Sequence, residues 1–232
     1  MKVPLTSPHQ HGPIGPRPAG SAKGCIVAAA TLLAVSLLGT SAQATDDPPV
    51  TITILLYNYA QVPPATLAAA EREANKILAT AGAQIDWVHC PPISAPDASE
   101  LCRRGWTPQT PGLRLITGAN KFQDAQFGYT AIPVLVTIYY EKVLRRAQRD
   151  HSPAELPILL GCVIAHELGH LLLQAPGHST RGIMQPQWST VQIRQALMGK
   201  FRFSHEEAVR IQSQARILAS LPRSPAQQSV TP

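Results

Sequence analysis

Residues 153–174 read PAELPILLGCVIAHELGHLLLQ, and the fold turns on this run. It is long enough, and apolar enough on all sides, to be a helix buried at the centre of a domain. Ser152-Pro153-Ala154-Glu155 has the form of a capping box with proline at the first helical position, and Pro157 can delay the regular start to its own position. Pro176-Gly177 is expected to end the helix. Set into this apolar run are His166, Glu167 and His170. Burying them without partners is costly, so their presence asks for a purpose.

Residues four apart lie on one face of a helix, so His166 and His170 can both turn an imidazole nitrogen toward one ion. Glu167 lies on an adjacent face of the same turn, placed to reach a water beside the ion rather than the ion itself. This is the mechanical content of an HExxH pattern: two ligands and a base on one rigid scaffold. Zn2+ is the expected cofactor, because it accepts imidazole readily and three protein ligands leave a fourth position for water. Coordination lowers the pKa of that water to about 7, so Glu167 can act as general base while the metal polarises a carbonyl. The expected result is amide hydrolysis. The bland alternative is two hydrogen-bonded core histidines with Glu167 in an ion pair.

A third ligand is needed, and His178 follows a Pro-Gly break that can turn the chain back toward the metal. Glu206 or Glu207 from a second helix is the competing choice, although Ser204 followed three residues later by Glu207 reads more simply as a helix cap. Cys162 lies one turn before His166, but its short side chain would have to cover more than a turn's rise of about 5.4 Å. It reads as a buried structural thiol. His89, His151 and His205 occupy loop or strand-end positions and read as solvated.

At this point the sequence resembles the metzincin clan of zinc metallopeptidases. The clan's helix ends at a glycine, its third histidine comes six residues after the second, and a downstream turn carries a methionine beneath the metal. Here the third histidine comes eight residues after the second, and Leu173 stands at the glycine's position. His178-Ser179-Thr180-Arg181-Gly182-Ile183-Met184 resembles the Met-turn more closely, with Gly177 taking over the bend. The resemblance implies His166, His170 and His178 as zinc ligands, Glu167 as general base and Met184 as hydrophobic floor. The tyrosine that some metzincins carry just after the methionine is missing from Gln185-Pro186-Gln187-Trp188. With its VTITILLYNYAQVP, AGAQIDW and HSTRGIM segments, the chain is also similar to short exported bacterial metallopeptidase-like proteins. Metzincins hold a peptide extended along an edge strand, which would make residues 134–140 the substrate-facing edge.

Working outward, residues 50–57 (VTITILLY) read as a strand, 66–81 as an amphipathic helix capped at Gly82, and 84–89 as a strand, an order that implies a crossover between parallel neighbours. Residues 113–117 and 134–140 read as further strands, joined by a long loop, GANKFQDAQFGYTAIP. Residues 204–218 read as a helix with Ala208, Ile211, Ala215 and Leu218 inward. The expected fold is α+β: a small, mixed, mostly parallel four-stranded sheet packed on helices around a buried, zinc-binding, metzincin-like active-site helix.

Residues 24–39 form an apolar run after Lys23 and before SAQA, the pattern of a signal peptide cleaved near Ala44. The expected organisation is a signal peptide over 1–44, a zinc metallopeptidase-like domain over 45–221 and a disordered tail over 222–232. The formal charge of +6 falls to +3 once Lys2, Arg17 and Lys23 leave with that leader, and the basic residues do not form one stripe along the sequence. That balance gives no reason to expect nucleic acid as a partner. Export permits a disulfide, and Cys90 with Cys102 is the expected pair. The expectation is therefore a secreted or periplasmic monomer, free of the membrane when mature, acting on peptide or protein substrates. The competing reading is a non-catalytic zinc-binding module that holds peptides or assembles at the envelope, with hydrolysis of a cell-wall amide as a third. An intact Glu167 argues against a purely binding role.

Overall fold

Strand β1 (Val50–Asn58) is the centre of a sheet in the order β2-β1-β3-β5-β4, where β2 is Ala83–Cys90, β3 Gly112–Ile116, β4 Gly128–Ala131 and β5 Leu135–Tyr139. It belongs to a computed structural model that describes residues 48–91, 98–118, 127–150 and 155–221. The leader over 1–44, the tail over 222–232, the cap at Ser152 and His151 lie outside the described residues. All described residues belong to one unit, Thr45–Pro232. The helices are α1 (Pro64–Ala79), α2 (Glu100–Arg104), α3 (Tyr140–Asp150), α4 (Leu156–Leu173), α5 (Thr190–Leu197) and α6 (His205–Ser220).

β1 pairs in parallel with β2 and β3, and β3 in parallel with β5, while β4 runs antiparallel to β5. The period-two alternation of β1 sends Ile52, Ile54 and Leu56 into the main core and Leu55 and Tyr57 into a smaller cluster with Cys90, Ala98 and Cys102. A β1–α1–β2 crossover makes the first parallel pair, as the hydrophobic pattern implied. Pro63-Pro64 does more than stop the strand: Pro64 opens α1, where the missing N–H costs nothing. Leu67, Ala70, Ala74, Ile77 and Leu78 face inward from that helix. The Cys90–Cys102 disulfide forms, tying the end of β2 to α2, and Cys162 is a buried free thiol.

The sheet has five strands among the described residues, not four. The extra one, β4, lies within the segment expected to be loop. It escapes a periodicity reading because it is four residues long and begins at a glycine. Its presence moves the edge of the sheet: β5, expected at the edge as 134–140, is interior and fully buried, and β4 takes the edge position.

Helix α4 is enclosed by α1, α3, α5, α6, β4 and β5, which accounts for its apolar character all round. Pro157 sits in its first turn and Glu155 is the N-cap residue. Its end falls where the run predicted, but the stop is made by a different residue. Pro176-Gly177 comes later; the helix closes at Gln174, which adopts the left-handed conformation (φ 50°) and donates its N–H to the His170 carbonyl. A non-glycine residue there costs roughly 1–2 kcal/mol. The Gln174 side chain partly offsets this by donating from Nε2 to the Leu171 carbonyl at 2.6 Å.

A tight helix contact is made at Gly161. A Cβ added there would stand 2.7 Å from the Ala70 carbonyl oxygen and 2.7 Å from Glu73 Cβ, both on α1. Gly→Ala inside a helix ordinarily gains about 1 kcal/mol. Gly161→Ala is expected to destabilise instead, by about 1–3 kcal/mol, because the two helices must part. A lower urea midpoint at unchanged slope would show it, and an unchanged or higher midpoint would refute the close packing.

Candidate metal centre

His166 and His170 project from adjacent turns of α4 and are both buried, while His178 is exposed and approaches from the chain that follows. Each helical imidazole is fixed from behind by a backbone carbonyl. His166 Nδ1 lies 2.7 Å from the Ile183 oxygen and His170 Nδ1 lies 2.9 Å from the Ala175 oxygen. A carbonyl accepts only, so each Nδ1 carries the proton and each Nε2 keeps its lone pair.

The Nε2 atoms then face one another. His170 Nε2 stands 3.2 Å from both His166 Nε2 and His178 Nε2, and one ligand atom from each ring falls within a 4.8 Å span. Ligands at about 2.0–2.1 Å from a tetrahedral ion stand about 3.3–3.4 Å apart; the two separations to His170 match this, and the His166–His178 pair would close by a side-chain adjustment of about 1 Å to share the ion. Burial holds the His166 imidazole down to about 4, and the neighbouring His170 and His178 push the same way. Burial also lowers His170 and His178. All three rings are therefore neutral at pH 7, the form that can hold a metal ion.

The segment after the helix is built to make this arrangement. Ser179 donates its N–H to the Met184 carbonyl at 2.8 Å, closing a turn in which Gly182 takes φ 72°. Ile183 donates to the Arg202 carbonyl at 2.9 Å, which aims its own carbonyl at His166. Met184 is buried against α4; a Cβ on Gly169 would meet its sulfur at 2.6 Å. The methionine thus fills the space beneath the helix between the two histidines' turns.

Glu207, weighed as a metal ligand, is engaged elsewhere. Its Oε2 accepts from the Ser204 N–H at 2.7 Å in the capping box of α6, and its Oε1 accepts from the Ser179 hydroxyl. It thereby ties the turn that carries His178 to α6. Glu206 is exposed, Cys162 lies outside the cluster, and His205 is exposed at the start of α6. His89 is half exposed with Nε2 3.2 Å from Glu71.

Glu167 is buried on the other side of α4's polar edge, against β4. The Thr130 hydroxyl lies 2.9 Å from Glu167 Oε2 and 3.0 Å from its backbone carbonyl. When the carboxyl is ionised it accepts from this hydroxyl. When protonated it can donate to it, while the hydroxyl donates to the carbonyl. Burial pushes the Glu167 carboxyl up to about 7, against the opposing pull of Thr130. β4 passes this close because Gly128 lacks a side chain: a Cβ there would stand 3.0 Å from Glu167 Cδ and 2.5 Å from the Thr137 carbonyl.

Glu167 and the three histidines line one cleft of about 200 Å³, walled by β4 and by Phe127 and Trp188. Trp188 sets its ring edge-on to His166 at 5.6 Å and packs on Phe201 and Phe127. Gly128, Thr130, Phe127 and Trp188 were not singled out as site residues from the sequence. The unusual length of the segment around β4 was the one signal for Phe127, Gly128 and Thr130, and nothing local marked Trp188.

No family model matches the sequence, and no curated protein matches it. Among solved structures, a zinc-dependent peptidase from Methanocorpusculum labreanum (strain Z) is similar with a TM-score of 0.47 and 14% identity, over 68% of this chain and 99% of that one.

The Glu167 environment has a measurable consequence in the metal-free protein. A folded-state pKa near 7, above the unfolded value of 4.5, contributes stability that is fully present below pH 4.5 and is lost as pH rises through 7. Glu167→Gln removes that dependence. The stability difference between wild type and Glu167→Gln is expected to move in favour of wild type by about 3 kcal/mol between pH 7.5 and 4.5. Denaturant unfolding in a chelator across that range measures it; a flat difference would mean a solvated carboxyl.

Proposed function

We propose that this chain is an exported zinc-dependent metallopeptidase, most simply a metalloendopeptidase of metzincin type, with His166, His170 and His178 holding Zn2+ and Glu167 as general base. The observation that carries the reading is one cleft holding both three converging neutral imidazole nitrogens and a buried carboxyl. A set of three nitrogen donors with room for a further ligand suits catalytic zinc rather than a closed structural site. Zinc bound there supplies a Lewis acid that polarises a carbonyl and lowers the pKa of a water to about 7.

The chain's own groups do the rest. Glu167 takes a proton from the water that attacks the scissile carbonyl and returns it to the departing amine. Burial disfavours its ionised form, which favours proton uptake, while a cation held by the histidines would favour its ionised form, so the carboxyl can serve in both directions. Thr130 steadies it in either protonation state. The Ile183 and Ala175 carbonyls keep the rings of His166 and His170 turned toward the ion, and Phe127 and Trp188 limit access of bulk water. An extended peptide is proposed to lie along the outer side of β4, which ends the sheet among the described residues and runs past Glu167. The disulfide is compatible with an extracellular or periplasmic setting, and the reading takes the mature protein as a monomer.

Metal content and turnover test this together. Purified wild type is expected to hold one zinc per chain, His178→Ala to bind it at least about tenfold more weakly, and Glu207→Gln to retain it. Glu167→Gln is expected to keep its zinc and lose about 10²–10⁴-fold in hydrolysis of a mixed protein substrate. Zinc lost from Glu207→Gln but not from His178→Ala would overturn the ligand set. Equal turnover by wild type and Glu167→Gln would overturn the base.

A further inference from the structure

Helix α3 carries Lys142, Arg145, Arg146 and Arg149 at positions i, i+3, i+4 and i+7, which one helix presents on a single side. The four line a groove of about 470 Å³, and among the described residues no carboxylate lines it. This corrects the impression that the basic residues are dispersed: the grouping follows from a helical segment that the sequence reading did not place. The groove's other walls are Phe127, Gln187 and Trp188, and these three also line the cleft that holds the histidines and Glu167. The two spaces therefore share a wall.

The cations are placed rather than loose. Arg146 donates from Nη2 to the Trp188 carbonyl at 3.3 Å, so it is tied to the residue whose ring stands against His166. Lys142 is buried with its ammonium 5.1 Å from the centre of the Tyr139 ring. Arg145 and Arg149 are exposed; Arg145 has only an exposed pairing with Glu141 at 3.4 Å, of the kind that contributes little. The exposed Arg145 and Arg149 stand one turn apart, and like charges at that spacing are unfavourable. A ligand of opposite charge relieves this repulsion.

Resting on the peptidase reading, we propose that this groove is a substrate subsite for a peptide carboxylate, selecting acidic sequences near the bond to be cleaved. Trp188 lines both spaces and stands 5.6 Å from His166, so the groove adjoins the histidine cleft and the carboxylate belongs to a residue flanking that bond. Guanidinium groups suit the role because they meet carboxylates in paired hydrogen bonds.

Binding tests this apart from turnover. Matched ten-residue peptides carry glutamate or glutamine at the flanking positions, each with a free or an amidated C-terminus. Their affinity for Glu167→Gln protein is measured by fluorescence anisotropy with an uncharged dye. Glutamate peptides are expected to bind about tenfold more tightly at low salt, an advantage that shrinks as salt rises. In the Arg145→Gln/Arg149→Gln variant, both changes at exposed positions, the advantage is expected to fall to about twofold. Tighter binding that follows only the free C-terminus would assign the groove to the terminal carboxylate instead of side chains. Equal affinity for glutamate and glutamine peptides, or an advantage untouched by the double variant, overturns the proposal. Stronger binding of a single-stranded oligonucleotide of equal charge, lost in the same variant, overturns it in favour of nucleic acid. Failure of the peptidase reading shows separately, as no cleavage of any of these peptides by wild type.

Discussion

A carboxyl and two imidazoles sit inside a helix that is otherwise apolar, and each must find a polar partner on the sides turned away from the cleft. Much of the architecture around α4 answers that requirement. The Ile183 and Ala175 carbonyls take the outward protons of the imidazoles, and the Thr130 hydroxyl meets the carboxyl. The partners come from three different places: the turn that closes at Met184, the residues just past Gln174 and the edge of the sheet. Removing the polar edge of α4 would leave those segments without reason for their paths. The sheet, the left-handed end of the helix and the turn are linked through it.

The same constraint explains what was legible in the sequence. The spacing of His166, Glu167 and His170 on an apolar run placed them on one buried helix, and the structure puts them there. The alternation of β1 and β2, the capping box at Ser204 and the Cys90–Cys102 pairing are local signals, and each appears as read. What escaped were elements whose evidence is tertiary. β4 is four residues held in place by β5 and by Glu167, with no pattern of its own. α3 begins directly from β5, and its buried apolar residues are Tyr140, Val143 and Ala147, too thin a stripe to stand out. In α5 only Ile193 and Ala196 are buried.

These misses matter to function more than to fold class. Without β4 the wall of the cleft is lost, and the sheet edge falls on the wrong strand. Without α3 the charges of Lys142, Arg145, Arg146 and Arg149 look scattered, because only a helical repeat gathers them. The carboxylate at 207 teaches a related lesson. Its type fitted a ligand, but its place in the cap committed both oxygens, one to Ser204 and one to Ser179. It supports the third histidine's segment from behind.

The positions of Cys90, Cys102 and Cys162, three of the four cysteines, bear on how the chain reaches this state. Cys90 and Cys102 are 12 residues apart, while Cys162 is 60 residues beyond Cys102. Closing a loop five times longer is about tenfold less frequent, so chain statistics already favour the short pairing in the unfolded polypeptide. Folding then encloses Cys162 in α4, where burial raises its pKa and suppresses the reactive thiolate. Proximity thus favours the native pairing before folding, and enclosure keeps Cys162 from exchanging with it afterwards.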